Sequence, residues 1–404
     1  MKVLCFSTWN EPCGIAGYSA NLLQALGQLG VTTEVHAVNA KERKYFTRAE
    51  VRRDLDEFCA RAEAADLVHI QHEFSFFDSF DLKRSVTTFE SVLGRLSRSG
   101  KPVVVTFHTH PPFRRSLVDL VDQRHGGLPA YMRQLLLLRN MLLNRRWRQS
   151  IGRFFRGGGR YQAVVHTRTT RRVLIEEGRF APDHIDVLPM GVVERSGALH
   201  EIDPATAKAA LGYPPGTKLA SIFGFIQPFK GYETALRALA RLPKHWHLAI
   251  VGGPHPESRS DKTLDTIIRL RSLLRLGDRV RVTGFADFET LDQYHAATDV
   301  CLAPYQRGDL ISGSVGITWA LSSGKPVIAS DIPVFKELQE ASDGLLLFAE
   351  TAQYDLAWQM ERVMNDCALR QKLVKNATTY AAGHLWPNVA QTMLDIYTRT
   401  LQRR

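Results

Sequence analysis

At 404 residues the chain exceeds what one ordinary hydrophobic core supports, so two domains of roughly 200 residues are expected. An apolar share of 44% with 23% charged residues is that of a soluble globular protein. The five cysteines (Cys5, Cys13, Cys59, Cys301, Cys367) are scattered without paired spacing, which argues against zinc ligation and a disulfide framework and for a reducing compartment. No apolar run approaches the roughly 20 residues that span a bilayer, and the opening MKVLCFSTWNEP has a strand pattern instead of a signal peptide, so the expected location is the cytoplasm.

The net charge of +11 is unevenly spread. From Gln123 to Ile175 there is no Asp, Glu or Lys, but there are twelve arginines, among them Arg124, Arg139, Arg145, Arg146, Arg148, Arg168, Arg171 and Arg172. Within it, LPAYMRQLLLLRNMLLNRRWRQSIGRFF interleaves leucines and arginines with Trp147, Phe154 and Phe155, the composition of a helix that lies on an anionic surface. The segment 124–172 is therefore expected to meet an anionic membrane at the inner face, with Trp147, Phe154 and Phe155 on the membrane side. Nucleic acid is disfavoured, because its binding grooves more often carry aromatic stacking platforms.

In chain order, apolar strands alternate with amphipathic helices. Strands are expected at Lys2–Phe6, 31–38, 66–73, 101–109, 161–167 and 184–192, with EPCGIAG as a loop before a first helix YSANLLQALGQLG. After Val193 the pattern loosens into a linker, and a second series follows at 218–226, 247–253, 279–285, 299–305 and 326–331. Continuous apolar runs separated by helices signal parallel sheets covered on both faces. The fold class is thus α/β, with two doubly wound Rossmann-like domains facing across a cleft: 1–195 binding acceptor, 196–385 binding nucleotide-sugar, and a last helix over 386–404 packing back on the N-terminal domain. Ligands in such sheets sit at the carboxyl ends of the strands.

Two elements of the second half suit a phosphate. SGSVGITWALSSGKPVIASD, residues 312 to 331, reads as a helix opened by Ser312, Gly313, Ser314 and Gly316, followed by a strand. Unpaired amides and a partial positive charge at a helix start accept an anion. In FGFIQPFKGYETALRAL, Lys230 and Gly231 fall in a strand-to-helix loop, where the lysine supplies a point charge.

Taken in order, GIAGYSANLLQAL, HIQHEF, VVVTFHT, VVHTRTTRRVL, VLPMGV, FGFIQPFKGYE, AIVGG, VTGFADFETLDQYHAATDV, LAPYQ and ALSSGKPVIASD resemble a family-four (group 1) glycosyltransferase with the two-domain type-B fold. The resemblance implies a diphosphate held by Lys230 and by the helix start Gly313, Ser314 and Val315, and a base near the turn Thr283, Gly284 and Phe285. It implies a glycine-rich loop, Gly14 to Gly17, opposite the diphosphate, and His108 approaching the sugar, with no metal and no cofactor beyond the nucleotide-sugar substrate. His108 and Lys230 are the catalytic candidates.

Two departures from the family pattern stand out. The residue after Gly224 is Phe225 where a basic residue is usual, leaving Gln227 as the nearest polar candidate, and the paired glutamates give way to Ile311 and Trp319. Asp309 is the candidate replacement for one carboxylate. For the acceptor, His72 and Glu73 end a strand that faces the expected cleft, and His166 ends another strand next to Arg168, which suits anchoring by anion contact.

The resemblance implies a retaining transferase that moves a hexose from a nucleotide-sugar to a hydroxyl acceptor, lipid-linked or polysaccharide. Type-B folds also serve nucleotide-sugar epimerases and phosphorylases, and a degenerate nucleotide-sugar-binding protein is the remaining alternative.

Overall fold

The computed structural model describes residues 1–404 except Pro12, Lys44, 79–81, 111–128, 158, 194–201, 255–261, 307–312 and Arg404. The chain forms two compact units: Met1–Gly191 together with Trp386–Arg404, and Val192–Leu385.

The first unit runs β1 (Lys2–Ser7), α1 (Gly14–Gln28), β2 (Thr32–Ala37), α2 (Ala40–Arg43), α3 (Arg48–Ala62), β3 (Leu67–His72), α4 (Leu82–Arg98), β4 (Val103–Phe107), α5 (Ala130–Phe154), β5 (Tyr161–Val165), α6 (Arg168–Glu176) and β6 (Ile185–Val187). All six strands are parallel, in the order β2-β1-β3-β4-β5-β6. Every residue of β3, β4 and β5 is buried, as a sheet covered on both faces demands of its central strands.

The second unit runs α7 (Pro204–Ala210), β7 (Lys218–Phe223), α8 (Tyr232–Leu239), β8 (Trp246–Val251), α9 (Thr263–Leu273), β9 (Val280–Val282), α10 (Phe288–Ala297), β10 (Val300–Ala303), α11 (Val315–Ser322), β11 (Val327–Ser330), α12 (Pro333–Ser342), β12 (Leu345–Phe348), α13 (Gln353–Asn365) and α14 (Cys367–Gly383). Its parallel sheet has the order β12-β11-β10-β7-β8-β9. The edge strand β12 was not expected. Its residues Leu345–Phe348 pair in parallel with β11 at the sheet edge.

The last helix, α15 (Trp386–Gln402), belongs to the first unit. Its Trp386, Val389, Ala390, Met393, Ile396 and Tyr397 pack with Val3, Cys5, Tyr18, Leu22, Val104 and Val164. A Cβ on Gly191 would lie 2.4 Å from the Trp386 ring, so only glycine allows the chain to pass there.

Two expectations are corrected. The glycine-rich stretch is not a loop: α1 starts at Gly14, and burial of Ala16, Tyr18, Leu22, Leu23 and Leu26 outweighs the poor helix propensity of its glycines. In α5, Trp147 and Phe155 do not face outward. They are fully buried with Leu143 and Ile151, and Phe154 packs against the same core. The exposed apolar residues of α5 are instead Tyr131, Leu135, Leu138 and Leu142, which recur every three to four residues, with Met132 and Met141 beside them. Among the described residues no helix is long and apolar enough to cross a membrane.

Candidate functional site

In the second unit β7 has β10 on one side and β8 on the other, so the connections leaving β7 and β10 diverge. Ligands of doubly wound sheets bind outside the carboxyl ends of strands at such a divergence. After β7 the chain makes a short 3-10 turn, Pro228–Lys230, and then Gly231, whose φ of 67° is left-handed. A Cβ on Gly231 would stand 1.7 Å from the Pro304 carbonyl oxygen, so a glycine is required both for φ and for the approach of the β10 loop. This tight joint turns Lys230 inward.

The Lys230 ammonium is buried and donates to the Phe223 carbonyl at 2.7 Å, with its nitrogen 5.9 Å from the centre of the Tyr305 ring. Burial pushes its pKa down to about 7. The same Phe223 carbonyl lies 3.0 Å from where a Cβ on Gly316 would sit, in the first turn of α11. Lysine and helix start therefore meet at one carbonyl.

Ser314 is the N-cap of α11, two residues later than an opening at Ser312 would give. Its side chain caps no amide. It bonds the Tyr305 hydroxyl at 2.8 Å, which leaves the helix front without a cap from Ser314. Gly313 precedes it in the chain, and Val315 supplies the first helical amide. Tyr305 was not singled out from the sequence, although LAPYQ places it at the end of β10. Asp309, Ile311 and Ser312 lie outside the described residues.

At the ends of β8 and β9, Thr283 accepts a bond from the Gly252 amide at 3.1 Å and donates to the Gly284 carbonyl at 2.8 Å, fixing the turn in which Gly284 takes φ 73°. Phe285 is 64% exposed, and its ring meets Phe225 edge to face at 6.1 Å. A Cβ on Gly253 would come within 2.9 Å of the Phe285 ring. Phe225, in the place of the usual basic residue, thus builds an aromatic shelf. Gln227 is half-buried and begins the 3-10 turn, its carbonyl accepting the Lys230 amide at 3.1 Å. Trp319 is half-buried, 6.3 Å from the His295 ring.

In the first unit the corresponding divergence is at β1 and β3. Gly14 and Gly17 form the first turn of α1, whose N-cap Cys13 makes no side-chain cap, and a Cβ on Gly17 would meet nothing within 4 Å. His108 follows β4 and is partly accessible. Its Nε2 lies 2.8 Å from the Gln71 amide oxygen and its Nδ1 3.3 Å from Nε2 of His166. Burial, then the nearby His166, His69 and His72, hold its pKa well below the ordinary range.

The acceptor candidates scatter. His72 is fully buried inside a cage of Phe74, Phe77, Phe89, Phe107 and Trp147, with burial pushing its pKa down to about 3, and it cannot touch an acceptor. The Glu73 carboxylate caps the next turn, accepting from the amide and hydroxyl of Ser75. His166 is buried, its Nδ1 3.0 Å from the Leu188 carbonyl and its pKa pushed down to about 4 by burial, so it is no acceptor anchor. Arg168 is exposed at the start of α6. The period of the strands did not reveal that a histidine at a strand end can point into the core.

The sequence pattern of the family described as "Glycosyl transferases group 1" matches residues 205–380. The D-inositol 3-phosphate glycosyltransferase of Nocardia farcinica is 30% identical over 248 residues, 59% of this chain and 52% of that protein. The chain spans about half the length of the curated relatives it matches. Anabaena HepE, solved in complex with UDP and glucose, superposes with a TM-score of 0.70 at 15% identity, covering 99% of this chain and 100% of its own. Sucrose-phosphate synthase from Thermosynechococcus elongatus gives 0.69 at 20% identity over 98% of each chain. These two likenesses establish the two-sheet α/β fold along the chain. Residues 205–380, which lie in the second unit, thus carry the likeness to the group 1 glycosyl transferases.

Proposed function

We propose that the protein transfers a hexose from a nucleotide-sugar to a hydroxyl acceptor, with retention of configuration and without a metal or further cofactor. The observation that carries the reading is the meeting of the Lys230 ammonium and the front of α11 at the Phe223 carbonyl, at the divergence of β7 and β10. A diphosphate leaving group there gains a point charge and the helix amides where its negative charge develops, the arrangement that stabilises a departing anion. The nucleobase would rest on the Phe225 and Phe285 shelf, with Gln227 and Gly284 beside it. The same-face mechanism needs no protein nucleophile, since a donor phosphate oxygen can take the acceptor proton. The naming of the Nocardia relative supports a transferase, and HepE, solved with UDP and glucose, supports a nucleotide-sugar donor.

The protein would work at the inner face of the membrane. Support comes from the exposed stripe of α5 and the arginines around it, a surface suited to anionic lipid and so to a lipid-linked acceptor. Arg168 is the remaining acceptor candidate.

The test is turnover across a panel of nucleotide-sugars with the anomer of the product read by NMR, repeated with chelator. An α-linked product from an α-donor, undiminished by chelator, is expected. Lys230→Ala should lose on the order of 100-fold in kcat with its fold intact. An inverted product or full turnover in Lys230→Ala contradicts the mechanism.

A further inference from the structure

The Leu188 carbonyl can only accept a hydrogen bond, and that single fact propagates through five buried or half-buried groups of the first unit. His166 Nδ1 stands 3.0 Å from this carbonyl and therefore carries its proton there. A neutral His166 then has a lone pair on Nε2, which faces His108 Nδ1 at 3.3 Å. That contact is attractive only if His108 carries its proton on Nδ1. A neutral His108 then presents a lone pair from Nε2 to the Gln71 amide at 2.8 Å.

With the amide oxygen toward His108, Nε2 of that ring must be the proton carrier, and two lone pairs meet between His108 and His166 unless an extra proton is shared there. The two ends of an amide have one shape, so turning Gln71 by 180° exchanges donor and acceptor without displacing a neighbour. The turned amide donates to His108 and offers its oxygen to His69 Nε2, 3.2 Å from the amide's other end. His69 then holds its proton on Nε2, shared with the Thr106 hydroxyl at 2.8 Å, and has a lone pair on Nδ1. Among the described residues the Tyr397 hydroxyl, 2.6 Å away on α15, fills that lone pair.

Neutral rings are what this burial favours: His69 is pushed down to about 3, His166 to about 4 and His108 well below its ordinary value. Every group in the chain is satisfied in one direction only, from phenol to carbonyl.

We propose that Tyr397 is a positioning residue, which through His69 and a turned Gln71 amide fixes His108 as the neutral Nδ1–H tautomer bonded to His166. The last helix of the chain thereby sets the state of a ring at the carboxyl end of β4, more than 280 residues earlier in sequence. The importance of that ring for turnover rests on the transferase reading; its tautomer does not.

The experiment is the long-range 1H–15N spectrum of the full chain labelled at histidine, with His108 assigned by His108→Asn. In the wild type at pH 7, His108 and His166 are expected as neutral Nδ1–H rings. Tyr397→Phe keeps the ring and removes the donor. His108 should then populate the Nε2–H form, and the His108–His166 pair should titrate at a higher pH than in the wild type. Gln71→Glu, whose carboxylate only accepts, should force Nε2–H on His108 and leave one cationic ring in the pair at pH 7, and it tests the chain even if Tyr397→Phe does not fold. A wild-type Nε2–H His108, or imidazole signals unchanged in a folded variant, overturns the proposal. Donor kcat and KM are measured on the same samples. A shifted tautomer with unchanged kcat leaves the relay standing and removes His108 from the transferase reading.

Discussion

Lys230 shows how a residue's chemistry is set by its surroundings. An exposed lysine would be a permanent cation, but burial brings this one to about 7 from an ordinary 10.5. Below pH 7 it is charged in both folded and unfolded chains, and the folded state bears the full cost of the buried charge. Between 7 and 10.5 the unfolded chain holds more protons, so this group makes stability rise with pH across that window. Urea unfolding of wild type and Lys230→Met between pH 6 and 10 should show the difference between them shifting in favour of wild type as pH rises, and a constant difference would refute the buried-lysine account. A donor diphosphate favours the charged form, so donor kcat/KM should fall above about pH 7 through the free enzyme's lysine. The fall should be absent from the residual activity of Lys230→Ala. That Lys230 falls in a strand-to-helix turn and that Gly313 and Ser314 open a helix was legible, because a lysine before a glycine and a run of small residues punctuate the chain. His72 and His166 were misjudged because a sequence shows that a residue ends a strand and not which side of the sheet it enters.

At the scale of elements, α5 carries both a success and a correction. Its arginines and its lack of acid were plain in the sequence, but its aromatic residues were assigned to the wrong face. A helix has two sides, and composition alone does not separate them until the core takes Trp147, Ile151 and Phe155. The two faces predict opposite phenotypes. Leu138→Glu on the exposed stripe should leave the melting temperature almost unchanged and weaken sedimentation with vesicles containing phosphatidylglycerol. Trp147→Ala should cost about 3–5 kcal/mol in unfolding free energy. Vesicle binding that is equal in wild type and Leu138→Glu at low salt would show that this stripe is no lipid surface. The start of α1 was missed for a related reason: glycines read as a loop until the tertiary burial of Tyr18 and Leu22 is known.

At the scale of the whole molecule, two parallel sheets were readable because apolar strand segments alternate with helices along both halves, while β12 at the sheet edge was not singled out. The membership of α15 in the first unit rests on contacts with Val3, Cys5 and Tyr18 at the opposite end of the sequence. The central claim is that the second unit holds a nucleoside diphosphate between Lys230 and the front of α11. Calorimetric titration of the full chain with UDP, GDP and ADP, in parallel with Lys230→Ala and Ser314→Asp, tests it most directly. At least one diphosphate should bind the wild type, at least tenfold more weakly to Lys230→Ala, and not measurably to Ser314→Asp, whose carboxylate would occupy the anion's place at the helix front. Equal affinity for all three proteins, or a Ser314→Asp variant that binds as well as wild type, would contradict the account.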